Sequence, residues 1–195
     1  MSILTIRDAL LHKGLHTFTA RELEEVLKLS PRRTLYYLEK GQSNGLLTQL
    51  KRGLYCLKTD PPSELEIANR LYRPSYVSFE YALAHYNILP EMVYVITSAT
   101  TKPTREFNVG EKTYRFTTIK KSAYTGYELI ISNQNRYLMA EPEKALTDYL
   151  YTVCVGRRAM SERLTTSSLD RTKVNSYAKL FSRPSLIQLI DKVFS

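Results

Sequence analysis

Three short helical patterns and a charged hairpin fill the first sixty residues, and beyond a double proline helical stripes alternate with strand-like runs. These observations predict an α+β fold in two domains. Residues 1–60 form a helical unit with a small hairpin. Residues 61–195 form an α/β unit whose mostly antiparallel or mixed sheet is flanked by helices. A length of 195 residues accommodates two such domains, each with a modest core.

The first helix is marked by Ile6 and Leu10 at i and i+4, with Ala9 beside them and Lys13-Gly14 closing the pattern. Thr19-Ala20-Arg21-Glu22 then fits a capping box, and Leu23, Val26 and Leu27 carry a second helix from Ala20 to about Lys28. A short turn, Lys28-Leu29-Ser30, leads into a third. Ser30 suits its N-cap and Pro31 its first turn. Spacing residues about 100° apart gathers Thr34, Leu35 and Leu38 on a core side. Arg33, Tyr36, Tyr37 and Lys40 spread over the other side, with Arg32 at its edge. Gly41 and Gly45 are expected to stop this helix. Leu46–Leu50 and Leu54–Leu57 read as a hairpin with Lys51-Arg52-Gly53 at its tip.

Two helices joined by a short turn, the second of them basic, form a helix-turn-helix pattern, and the hairpin adds a wing. Arg and Lys neutralise phosphates, while guanidinium forks and phenol hydroxyls reach base edges in a major groove. Ser30, Arg32, Arg33, Tyr36, Tyr37, Lys40, Lys51 and Arg52 are therefore the candidate DNA-binding residues. A solvated helix face, with Tyr36 or Tyr37 on the core, is the alternative for any one of them.

Thr59-Asp60-Pro61-Pro62 is the clearest break in the chain. A second capping box, Ser63 to Glu66, opens a helix through about Tyr72, with Leu65, Ala68 and Asn69 on one stripe and Ile67 and Leu71 on the next. Ser78 is expected to cap a helix carrying Phe79, Ala82, Leu83 and Tyr86, in which His85 reads as a surface residue. Strands follow at Val93–Thr97, Thr104–Asn108 and Thr113–Ile119. A further hairpin pairs Glu128–Ile131 with Arg136–Met139 through Ser132-Asn133-Gln134-Asn135. Pro142 starts a helix with Ala145, Leu146, Tyr149, Leu150 and Val153. Two or three short helices follow Arg157, the last expected to dock Leu186, Leu189, Ile190 and Val193 on the sheet.

The chain has 28 basic and 19 acidic side chains, net +9, which favours a polyanionic partner: nucleic acid first, an anionic membrane surface second. Lys102, Arg105, Lys112, Arg115, Lys120 and Lys121 face only Glu106 and Glu111 in the stretch from Thr100 to Gly126. Strand alternation leaves open whether they form a second basic surface or a solubilising scatter. Cys56 and Cys154 are too isolated for a disulfide framework or a zinc site and fit a reducing cytoplasm. The N-terminus has no signal-peptide pattern, and no run approaches the roughly 20 apolar residues of a membrane span. A soluble cytoplasmic protein without cofactor or metal is expected.

Glu141, Glu143, Lys144 and Asp148 raise the possibility of a Mg²⁺-dependent nuclease. The spacing argues against it: Pro142 signals a helix start, where acids complement the helix dipole. Glycine-rich phosphate loops and nucleophile elbows are absent, so no enzyme is expected. A protein-interaction module built on a winged helix is the other alternative.

Several short blocks recur in a known order: Lys51-Arg52-Gly53-Leu54-Tyr55, Ile67-Ala68-Asn69-Arg70-Leu71, Tyr76-Val77-Ser78, Ile96-Thr97-Ser98-Ala99-Thr100-Thr101, Thr104-Arg105-Glu106-Phe107 and Pro142 to Leu150. Together they resemble the AbiEi-like antitoxins of bacterial abortive-infection toxin–antitoxin systems. The resemblance implies a winged helix that represses its own operon at inverted repeats in double-stranded DNA. It also implies a C-terminal antitoxin domain, residues 61–195, that counters a nucleotidyltransferase-type toxin, with no direct contact assumed. Taken physically, the hydroxyls of Thr97, Ser98, Thr100 and Thr101 suit the capping of neighbouring backbone groups or the touching of a phosphate.

Overall fold

The structure is a computed structural model that describes residues 3–132 and 135–195. The expected hairpin joint at Asn133-Gln134 lies outside the described residues. The chain divides into two compact units, Met1–Leu71 and Tyr72–Ser195.

The first unit runs α1 (Ile3–His12), β1 (Thr17–Thr19), α2 (Ala20–Leu27), α3 (Pro31–Ser43), β2 (Leu47–Lys51), β3 (Leu54–Leu57) and α4 (Glu64–Leu71). Its sheet is antiparallel in the order β1-β3-β2. Ile6, Leu10, Phe18, Leu23, Leu38, Leu46, Leu47 and Leu57 form one buried cluster, so α1, α2, α3 and the hairpin share a core. The capping box of α2 is complete: Thr19 Oγ1 accepts from the Glu22 amide, and the Glu22 carboxylate accepts from the Thr19 amide at 2.7 Å. Lys28 then takes a left-handed conformation, φ 51°, which turns the chain into α3.

Two expectations are corrected, and one strand is new. α3 does not stop at Gly41 but continues to Ser43. Gly41 lies buried on the core face, where a Cβ would sit 2.6 Å from Leu47 Cδ1; the glycine serves close packing rather than termination. The Ser30 side chain makes no capping hydrogen bond; instead its carbonyl accepts from the Thr34 amide and hydroxyl. β1, at three residues, was too short to show a period.

α4 is tied to this unit by polar contacts. Arg70 donates to Glu22 Oε2 at 2.5 Å and to the Thr17 carbonyl at 3.2 Å, and Thr17 Oγ1 donates to Glu66 at 3.2 Å. Burial raises the Glu22 pKa, but the Arg70 and Thr19 hydrogen bonds outweigh it and hold the carboxyl below its ordinary value.

The second unit contains β4 (Ser75–Val77), α5 (Phe79–His85), β5 (Ile96–Thr100), β6 (Arg105–Val109), β7 (Lys112–Thr118), β8 (Tyr127–Ser132), β9 (Asn135–Ala140), α6 (Pro142–Cys154), α7 (Arg171–Leu180) and α8 (Pro184–Val193). Its sheet order is β6-β7-β5-β4-β9-β8, mixed, with β4 parallel to β9 and β5 parallel to β7. The fifth strand begins at Ile96 rather than Val93, and Tyr94 is 72% exposed. Helix α8 packs on α6 and α7, so the last apolar stripe docks on helices where a sheet was expected.

Ser78 holds the N-cap position of α5, but its side chain makes no capping hydrogen bond. Its hydroxyl donates to Asp148 Oδ2 at 2.8 Å, beside the Tyr76 hydroxyl at 2.9 Å, while Asp148 Oδ1 takes the Lys144 ammonium. All four side chains are fully buried. Lys144 also lies over the rings of Tyr76 and Phe181, 5.6 and 5.1 Å from their centroids. Burial lowers the Lys144 pKa, opposed by Asp148, and pushes the Tyr76 phenol well up, an effect Asp148 reinforces.

Candidate nucleic-acid interface

The buried face of α3 is narrower than its sequence suggests: Thr34, Leu38 and Gly41 are buried, and they centre the docking stripe. That rotation has two consequences. Leu35, expected in the core, is 57% exposed, and Tyr37, expected outside, is half-buried against the core cluster. Opposite the stripe, Arg32, Arg33, Tyr36 and Lys40 are exposed and lie within about 60° of Tyr36 around the helix. Ser30 is exposed just ahead of them. Tyr36 meets Tyr37 edge-on with ring centroids 5.3 Å apart. Lys40 Nζ lies 5.6 Å from the Tyr36 centroid and donates to its hydroxyl at 3.4 Å.

The wing splits its two charges. Arg52 is exposed in the turn with Gly53, whose φ of 78° closes the hairpin. Lys51 is half-buried on the last position of β2, and its ammonium donates to the Leu71 carbonyl. Among the described residues, Arg32, Arg33, Lys40 and Arg52 have no carboxylate partner, so their charge is available to an anion. Leu35 belongs to the same exposed surface, and a leucine there suits contact with a thymine methyl. Sequence reasoning placed it inside because its spacing from Leu38 matches a core stripe; Gly41 on the buried face was the signal that shifts that stripe.

The second basic stretch is now resolved. Arg115 pairs with Glu106 at 2.9 Å, and Lys112 sits at the opposite end of β7 from Lys120. Lys102 and Lys120 follow the carboxyl ends of the parallel strands β5 and β7. Thr118 binds that edge together: its hydroxyl donates to the Lys102 carbonyl at 2.7 Å, its amide to Thr104, and its carbonyl takes Arg157 at 3.5 Å. Lys102 and Arg105 both lie over the Tyr72 ring, at 5.4 and 5.8 Å. None of Lys102, Arg105, Lys120, Lys121 and Arg157 has a carboxylate partner among the described residues. The Thr97 and Thr100 hydroxyls, by contrast, are taken up by the Ser78 and Pro74 carbonyls.

The carboxylates weighed for nuclease chemistry do not converge on a substrate-accessible site. Asp148 and Lys144 are sealed in the core, and Glu141 and Glu143 share Lys173. Among the described residues, no group of three or more His, Cys, Asp or Glu side chains is placed to hold a metal ion, and no helix is long and apolar enough to cross a membrane.

Residues 3–58, from α1 to just past β3, match the family model described as "Transcriptional regulator, AbiEi antitoxin". No curated protein matches the chain.

Proposed function

We propose that the chain is a DNA-binding transcriptional regulator of the antitoxin type, which represses its own operon by placing α3 in the major groove at inverted repeats. The observation that carries this reading is the outward face of α3, Arg32, Arg33, Tyr36 and Lys40, continued by Arg52 on the wing and without carboxylate partners among the described residues. The family match covers the same elements. Guanidinium and ammonium groups release counterions from the phosphates, while Arg32 or Arg33 reads base edges from the helix N-terminal turn. Leu35 supplies an apolar base contact. The basic edge formed by Lys102, Arg105, Lys120, Lys121 and Arg157 is a second phosphate-binding surface within the second unit. Residues 61–195 counter a nucleotidyltransferase-type toxin, as the resemblance to the AbiEi-like antitoxins implies, with no direct contact assumed.

The test is a gel shift with the DNA upstream of the operon, comparing the wild type with an R32A/R33A/Y36A/R52A variant. Loss of the shifted band in the variant, with unchanged circular dichroism, supports the reading. Equal binding by both proteins removes it.

A further inference from the structure

The six-stranded sheet has two open edges, and they are unlike. On β6, Arg105 and Glu106 are exposed, and Glu106 is ion-paired across to Arg115. Charges of this kind keep an edge from pairing with another strand. On β8, Leu129 and Ile131 are 56% and 63% exposed on one face, and Glu128 is the one charged residue of the strand. Its register with β9 is unbroken from Tyr127 to Ser132, with no bulge to twist the edge away and no proline to block it. Every second residue of such a strand turns its N–H and C=O outward, so the group that completes it is another β-strand.

We propose that this strand is β8 of a second copy, paired antiparallel across a two-fold axis at Ile130, so that two six-stranded sheets join into one. The strand is complementary to itself in this register. Leu129 lies opposite Ile131 of the second copy, and Ile131 opposite its Leu129, so each chain's two exposed apolar residues cover the other's on the same face. Glu128 lies opposite Ser132, and no like charges meet; an axis at Glu128 would set that carboxylate against itself. On β9, Leu138 stands opposite Leu129 and extends the apolar ribbon across both copies. The pairing is isologous and closes at two chains, leaving only the charged β6 edges at the ends of the joined sheet.

Sedimentation velocity of the full chain, without DNA, tests this pairing. The wild type is expected at twice the monomer mass across the micromolar range, and L129K/I131K at the monomer mass with unchanged circular dichroism. In a Cys154→Ser background, Ile130→Cys is expected to oxidise to a covalent dimer on a non-reducing gel, and Asn108→Cys on β6 to remain monomeric. This cross-link decides the matter if the double variant misfolds. A wild type that sediments as a monomer or as a ladder of larger species overturns the proposal. So does a folded L129K/I131K that stays dimeric, or a cross-link at Asn108 in place of Ile130. Because no DNA is present, failure here leaves the operator-binding reading standing.

Discussion

Replacing Arg33 by alanine removes a guanidinium without a carboxylate partner among the described residues, whereas replacing Lys51 removes a donor already engaged with the Leu71 carbonyl. Operator binding should therefore weaken by about 1 kcal/mol or more for Arg33→Ala, roughly fivefold or greater, at unchanged stability. Lys51→Ala should instead lower folding stability by about 1 kcal/mol, with a smaller binding loss; gel shifts and urea melts on both variants separate the two outcomes. Sequence reasoning treated these residues alike, because a hairpin tip is legible from Lys-Arg-Gly but the strand's last side chain is not. Leu35 and Tyr37 exchanged places for a related reason: periodicity fixes which residues share a face, yet the neighbour that closes the face, Leu47 against Gly41, comes from another element. Glu22 gives a pH signature. Its pKa is held below 4.5, so it contributes stability that is fully present above that value and is lost as pH falls through the lowered pKa. Glu22→Gln keeps the capping geometry and removes the charge facing Arg70. Urea unfolding should show the variant less stable at pH 7, with the difference shrinking as pH drops below 4.5.

Among the elements, α3 is the one whose placement decides the interface, and Gly41 is what lets it lie close to β2. Gly41→Ala gains about 1 kcal/mol of helix propensity but drives a methyl into buried Leu47, a clash costing about 1–3 kcal/mol. A net loss of stability in urea melts, accompanied by weaker operator binding as the helix shifts, is the expected result. α2 and α3 were legible because a capping box and Ser-Pro are local chemistry. β1 and β4 were not, since three-residue strands carry no period and exist only through their partners, β3 and the pair β5 and β9. Ser78 shows the same limit: its residue type suits a helix cap, but a buried carboxylate seventy residues away, Asp148, claims its hydroxyl.

Across the whole molecule, the positive charge is shared between the two units roughly in proportion to their lengths. Residues 1–71 hold eleven basic and eight acidic side chains, net +3, and residues 72–195 hold seventeen and eleven, net +6. Long-range attraction for DNA should accordingly depend on both units. A K102A/R105A/K120A/R157A variant is expected to lower the slope of log affinity against log salt by about 0.9 per lost phosphate contact, while leaving preference among operator sequences unchanged; titrations at several salt concentrations measure both. Composition revealed the sign of the charge, and the fold revealed its sites, because only the parallel pairing of β5 with β7 brings Lys102 beside Lys120.

Arg70 on α4 grips Glu22 and the Thr17 carbonyl, and the Lys51 ammonium rests on the Leu71 carbonyl, even though a double proline separates these partners in the chain. Anyone excising the N-terminal reader for fusion or crystallisation thus faces a choice of scissor point. A fragment ending at residue 58 discards the clasp and strands a half-buried carboxylate, and it should melt at lower temperature than one ending at residue 71 in a calorimeter.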